Sequence, residues 1–210
     1  MDKAKFLWLA LCARLDVQRD SHQIYRMLAD RYAEPHRKYH TLSHVEQCLN
    51  EFVQVRHLFK DPDAAEFAIW FHDAVYNTHS SINEEDSAKL AAFIARSLSL
   101  PNSFIDKVTT LILATKHDSD LQNNTDAQLL ADIDLSIFGQ TREVINEYEK
   151  QIRAEYDWVD LKVYIRERSR ILHSLINKSS IFYTNFFRNK YTEATKEVVV
   201  SIDNLQNLAK

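Results

Sequence analysis

The sequence predicts an all-α fold, and three observations carry that expectation. Glycine and proline are scarce, with one glycine and three prolines in 210 residues. Strand-rich folds need frequent tight turns with positive φ, which glycine supplies at no steric cost. Apolar residues recur at helical spacing along most of the chain. Finally, Asp61-Pro62, Asn83 and Gly139 fall where such runs begin or stop, as helix-boundary residues do.

Residues 3–16 read as a first amphipathic helix. Lys3 and Lys5 followed by Phe6-Leu7-Trp8-Leu9-Ala10-Leu11-Cys12 share the outline of a signal peptide. The run is short, lacks a small-residue cleavage site and passes straight into Arg14-Leu15-Asp16, which favours the helix. Asp20 or Ser21 can cap a second helix carrying Ile24, Met27, Leu28 and Tyr32. It ends before Pro35, since the residue ahead of a proline avoids the α region. The loop 34–40 is basic and His-rich. Thr41 or Ser43 starts a third helix with Val45, Cys48, Leu49, Phe52 and Val53 on one face.

Asp61-Pro62 opens a fourth helix through Ala65, Phe67, Ala68, Ile69 and Trp70. It is apolar almost all round and is therefore expected to be central and buried. Asn83 caps the next, with Glu84, Glu85 and Asp86 in its first turn, where the macrodipole favours them. Its buried stripe is Leu90, Ala91, Phe93, Ile94 and Leu98. Pro101 opens a helix ending at Lys116-His117-Asp118, and 118–125 form a polar loop. The apolar run Leu129 to Phe138 stops at Gly139, which reads as a helix C-cap. A helix from Thr141 to Tyr156 and helical segments over 159–177, 179–190 and 192–208 complete the chain. No repeat or linker interrupts it, so a single domain 1–210 is expected, with its core over 20–140 and helices 141–210 packed on it.

Composition narrows the function. Hydrophobic residues make up 45% and charged residues 27% of the chain, and the net charge is −4 with both signs interspersed. Nothing in that balance predicts binding to nucleic acid or to a membrane surface. No segment approaches the roughly 20 apolar residues of a membrane span, and a cytoplasmic protein is expected. Cys12 and Cys48 sit in apolar helical stretches, form no CxxC pair and read as small buried hydrophobes.

The chemistry lies with the nine histidines and their neighbouring carboxylates. His72-Asp73 follows directly on the apolar fourth helix, placing an imidazole and a carboxylate at the edge of a core. His40 and His44 are four apart, hence on one face if both are helical. Asp132 and Asp134 interrupt an apolar run, where carboxylates are costly unless hydrogen-bonded or bound to a cation. Two apart on a helix, they cannot share a face. Each feature alone has a bland explanation: a capping histidine, an imidazolium at a helix C-terminus, a favourable acidic first turn. Lys116-His117 reads equally well as basic residues at a helix end. Phe182, Phe186 and Phe187 read as core or as an oligomer contact of a homodimer. It is the ordered occurrence of these features on separate helices that points to a metal.

With those residues in view, the chain resembles the HD superfamily of metal-dependent phosphohydrolases. The pattern there is a His, an adjacent His-Asp pair and a distant Asp on different helices around one metal. The positions that match are His44, His72, Asp73 and Asp134. A bacterial branch of predicted HD phosphohydrolases is similar at Arg37-Lys38-Tyr39-His40-Thr41-Leu42-Ser43-His44, at Phe71-His72-Asp73-Ala74-Val75-Tyr76, at Asn83-Glu84 with Ser87-Ala88, at Ala131-Asp132-Ile133-Asp134-Leu135-Ser136-Ile137 and at Ile152-Arg153-Ala154-Glu155-Tyr156. The likeness covers residues 5–185, and Ala194-Thr195-Lys196-Glu197 departs from the branch's Ala-Arg-x-Asn-like run.

The resemblance implies an HD-domain-like helical bundle with a helical C-terminal extension. It also implies metal ligation by His44, His72, Asp73 and Asp134, with Asp132 in support because Ile133-Asp134-Leu135 fits the family's last ligand better. Two imidazoles and two carboxylates suit Mn²⁺, Fe²⁺, Zn²⁺, Ni²⁺ or Mg²⁺. The expected reaction is hydrolysis of a small phosphorylated metabolite, with a nucleotide as the superfamily's usual substrate, by a metal-activated water. Asp73 or Glu84 would take the proton. Arg37, Lys38 and Lys116 would stabilise phosphoryl charge, and His117 would protonate the leaving group or help bind a second metal. Two rivals stand beside it: a metal-binding or ligand-sensing helical module without turnover, and a di-iron oxygenase recruiting His40 and His117.

Overall fold

A computed structural model describes residues 3–17, 19–116, 121, 123–177 and 180–207, with backbone only for 206 and 207. The fold is all-α, with eleven α-helices and two short 3-10 helices among the described residues and no strand. The chain divides into two compact units, Met1–Ala131 and Asp132–Lys210. His117, expected at the site, lies outside the described residues.

The first unit contains α1 (Lys3–Arg14), α2 (Ser21–Tyr32), α3 (Leu42–Val55), a 3-10 turn Arg56–Leu58, α4 (Pro62–Phe71), α5 (Asn83–Ser97), α6 (Asn102–Ala114) and the start of α7 (Thr125–Asp134). Its organising element is α4. The Asp61 carboxylate accepts from Ala64 N at 3.1 Å, capping the helix, and Pro62 occupies the first turn, where its missing N–H costs nothing. Every residue from Ala64 to Phe71 is buried, and α4 packs against α1, α3, α5 and α6. Trp8 of α1 meets Trp70 edge-on at 5.6 Å, Phe67 stacks on Phe71 at 4.7 Å, and Phe104 of α6 meets Phe67 edge-on at 5.6 Å. Burying Phe67 and Phe71 contributes about 1.5–3 kcal/mol each.

The C-terminus of α4 leaves carbonyls without intrahelical partners, and side chains supply them. Tyr32 OH of α2 donates to the Trp70 carbonyl at 3.1 Å, and the His72 ring nitrogen Nδ1 donates to the Ile69 carbonyl at 2.8 Å. The residues after α4 are therefore held firmly. Among the described residues the left-handed positions fall on Asp16, Asp20 and Ser99, with φ of 54°, 64° and 59°. Asp enters that region more readily than bulkier side chains, so a chain with one glycine still turns between helices.

The second unit contains a 3-10 turn Leu135–Gly139, α8 (Arg142–Glu155), α9 (Leu161–Ile176), α10 (Asn185–Lys190) and α11 (Ala194–Asn207). Helix α11 packs on α8, α9 and the 3-10 turn. Arg168 of α9 forks onto Glu149 of α8, Nε to Oε2 at 3.0 Å and Nη2 to Oε1 at 2.8 Å, and also donates to Tyr148 OH at 2.8 Å. Phe182 and Phe187 are buried and stack at 5.9 Å, so they are core.

Several local expectations are corrected. Gly139 is not a left-handed C-cap, since no glycine has positive φ. It is small because a Cβ there would stand 2.1 Å from Cγ of Tyr191. The α-helix within 179–190 is confined to Asn185–Lys190. Val53 and Phe93, expected on buried stripes, are each 66% exposed. Asn83 caps nothing as a side chain; it pairs with the Asn77 backbone instead.

Candidate metal centre

The site forms where the end of α4 meets the start of α3, both in the first unit. His44 sits in the first turn of α3, which begins at Leu42 after the extended N-cap Thr41. His72 is the residue on which α4 ends. Both imidazoles are 2% exposed, and their Nε2 atoms are 3.1 Å apart. Asp73 brings Oδ2 to 3.1 Å from His72 Nε2 and 3.6 Å from His44 Nε2. Three expected ligand residues thus converge on one point.

The tautomer of His72 follows from its neighbours. Its Nδ1 faces the Ile69 carbonyl at 2.8 Å, a group that only accepts, so Nδ1 carries the proton and Nε2 presents a lone pair. A backbone carbonyl holding the far nitrogen is how proteins orient a metal-ligating imidazole. Burial alone would raise the Asp73 carboxyl, but the neighbouring rings of His72, His40 and His44 outweigh it and hold the group below its ordinary value.

Sequence reasoning missed Cys48. It lies one turn after His44 on α3 and is 2% exposed, with Sγ 3.7 Å from His44 Nε2. One ligand atom from each of His44, Cys48 and His72 falls within 4.8 Å of the others, so these three buried residues form a candidate metal-binding cluster. The His44-x-x-x-Cys48 spacing, which puts both side chains on one helical face, was the available signal. Buried nitrogen and sulfur donors with a carboxylate beside them fit a borderline divalent ion.

Around the cluster, α5 and the loop 34–40 hold the His-Asp turn in place. Ser87 Oγ accepts from Val75 N at 3.0 Å and donates to Val75 O at 3.2 Å. Asn83 makes the matching pair with Asn77, accepting from its N and donating to its O, each at 3.0 Å. Arg37 is fully buried as a side chain. Its Nη1 donates to the carbonyls of Asp73 at 2.7 Å and His40 at 3.1 Å, its Nη2 to Ala74 O at 3.3 Å and its Nε to Glu34 at 3.0 Å. The guanidinium lies against Tyr32 and Tyr76, 5.2 and 5.3 Å from their ring centroids. Arg37 therefore fastens the loop to the backbone of Asp73, which makes it a positioning residue.

The remaining site residues divide. His40 precedes α3 and is not helical, so the shared face with His44 does not exist; its ring stacks on Tyr76 at 4.2 Å, with the His44 ring 6.0 Å away. Glu84 lies in the first turn of α5. Its carboxyl is raised by burial and by the charges of Asp73 and Glu85, against Lys116. Lys116 pairs with Glu85 at 2.5 Å, and Lys38 donates to Pro35 O at 2.8 Å.

In the second unit the two aspartates separate clearly. Asp132 is fully buried. Its Oδ1 accepts from Tyr183 N at 2.6 Å, and its Oδ2 accepts from Thr184 N at 2.8 Å and Thr184 Oγ1 at 2.6 Å. Burial pushes its carboxyl up to about 6 in spite of those bonds. Asp132 thus braces the 183–184 backbone. Asp134, the last residue of α7, is half-buried.

Comparison with protein-family models, with curated proteins and with solved structures finds no match to this chain. Among the described residues no helix is long and apolar enough to cross a membrane.

Proposed function

We propose that this chain is an HD-type phosphohydrolase that binds a divalent metal through His44, His72 and Asp73, with Asp134 as the distal carboxylate that the resemblance implies. The observation that carries the reading is the approach of Asp73 Oδ2 and two buried imidazole nitrogens within 3.6 Å of one another. His44, His72 and Asp73 would hold the ion, and the chemistry it would supply there is Lewis acidity toward water and a phosphoryl oxygen. Glu84, whose carboxyl is raised above its ordinary value by burial, is placed in the first turn of α5 to accept the proton. The substrate class is a small phosphorylated metabolite, with a nucleotide as the first choice. Asp132 and Arg37 hold the framework rather than touch substrate.

A second reading, a metal-binding or ligand-sensing module without turnover, draws support from the cations. Arg37 is committed to backbone carbonyls and Lys116 to Glu85, so neither offers itself freely to a phosphoryl group. Phosphate release across a panel of nucleotides and sugar phosphates, with Mn²⁺, Zn²⁺, Co²⁺ or Mg²⁺ supplied, separates the two. Metal-dependent turnover abolished in Asp73→Asn supports the hydrolase. Tight metal binding with no release from any substrate favours the sensor.

A further inference from the structure

Cys48 is placed differently from the other cysteine. Cys12 lies on α1, buried, with its thiol pushed up to about 12 by burial and by the nearby charge of Glu66. Cys48 lies on α3, four residues after His44, and its Sγ is 3.7 Å from Nε2 of that ring and 3.9 Å from Nδ1. The sulfur therefore stands beside the His44 ring, almost equidistant from its two nitrogens. Val45, Leu49 and Phe52 on the same helix are buried apolar neighbours, and they account for a small hydrophobe at this position. They do not account for a sulfur standing within 4.8 Å of ring nitrogens from two different histidines.

We propose that Cys48 Sγ is itself a ligand of the divalent ion held by His44 and His72, so that the centre prefers zinc, cobalt or iron to magnesium. This rests on the metal-binding reading above and adds a ligand that the HD-type pattern lacks.

The nitrogen spacing agrees with shared ligation, and the sulfur reaches the same ion by moving round the His44 ring toward Nε2. For an ion bound tetrahedrally at about 2.0–2.1 Å by nitrogen and about 2.3 Å by sulfur, ligand atoms stand roughly 3.3 Å apart for N···N and roughly 3.6 Å for N···S. The corresponding separations are 3.1 Å between the two Nε2 atoms and 3.7 Å from Cys48 Sγ to His44 Nε2, with Sγ also 3.9 Å from Nδ1 and so beside the ring rather than in front of Nε2. Ligation exchanges the S–H bond for a sulfur–metal bond, and the thiol proton leaves to solvent. A thiolate among imidazoles selects borderline and soft ions, whereas Mg²⁺ prefers carboxylates and water.

The test is cobalt(II) loading of the full chain, read by near-ultraviolet absorption and by cobalt content. Thiolate-to-cobalt charge transfer gives a strong band that imidazole and carboxylate ligands do not. Wild type and Cys12→Ser are expected to show the band at one cobalt per chain, and Cys48→Ser to lose it. Cys48→Ser should also bind cobalt more weakly, by at least the roughly 10–100-fold that loss of an outer-shell partner costs. Because Cys12→Ser leaves Cys48 untouched, its spectrum decides the question even where the Cys48 variant folds poorly. One cobalt bound by Cys12→Ser without the band overturns the ligand role of Cys48 and leaves the metal centre standing. A band that persists in Cys48→Ser overturns it as well. Failure of the wild type to bind cobalt, zinc or iron overturns the metal reading itself.

Discussion

Arg37→Ala offers the sharpest test of how the His-Asp turn is held. The guanidinium supplies hydrogen bonds to the carbonyls of His40 and Asp73, deep enough that water does not replace it freely. A buried acceptor deprived of its donor costs about 1–3 kcal/mol, so two amount to about 2–6 kcal/mol. Ala74 O retains Arg31 Nη1 at 3.4 Å and is left out of that sum. The loss is a large share of the about 5–15 kcal/mol by which a domain is stable. Urea titration followed by circular dichroism measures it, with Arg37→Lys alongside. Lysine keeps the charge, but its single ammonium cannot span carbonyls on two segments, so most of the loss should remain. Metal affinity should fall in parallel, because the Asp73 backbone is no longer tied to the loop. A loss under about 1 kcal/mol, set against the range above, together with abolished phosphate release, would refute the positioning role and make Arg37 a substrate ligand.

Two further outcomes follow from other parts of the chain. Asp132→Ala should destabilise the second unit by about 2–4 kcal/mol, since it strips acceptors from the N–H groups of Tyr183 and Thr184 and buried donors are costly to orphan. Its bound metal should be retained; loss of metal with stability unchanged would make Asp132 the ligand instead. Glu66 is buried and its carboxyl is raised above 4.5 by that burial, against the opposing charge of Arg14. A raised carboxyl binds its proton more tightly in the folded state, so its contribution to stability falls as pH rises from about 4.5 through the folded value. Glu66→Gln should remove that decline, seen as a difference between the two urea-stability profiles over pH 4–7; profiles that run parallel across that range would contradict it.

What the sequence discloses about this chain depends on how local the cause is. The α4 boundaries and the His-Asp pair that follows it were legible because Asp61, Pro62 and an unbroken apolar run act within a few residues. Gly139 was read as a cap, yet its reason is the Tyr191 ring, and a contact between residues so far apart leaves no local trace. His40 shares a four-residue interval with His44, but α3 begins only at Leu42, and no spacing reveals where a helix starts. Arg37 looked like a phosphate cation because its basic neighbours are visible, whereas the carbonyls that receive its bonds are not. Val53 and Phe93 show the opposite failure. Helical spacing identifies a stripe but not its width, and both residues fall outside the packed part. Asn83 and Ser87 stood out in the sequence, and their role in holding Val75 and Asn77 became evident only from the fold.

The central claim concerns the buried imidazoles at the junction of α3 and α4, and metal content tests it most directly. Purified protein dialysed against buffer containing trace divalent metals is analysed by elemental mass spectrometry beside His44→Ala and His72→Ala, with folding checked by circular dichroism. The expected result is a stoichiometric divalent ion in the wild type and its loss from both variants while helicity is kept. Wild type without metal, or variants that retain it in full, would contradict the assignment.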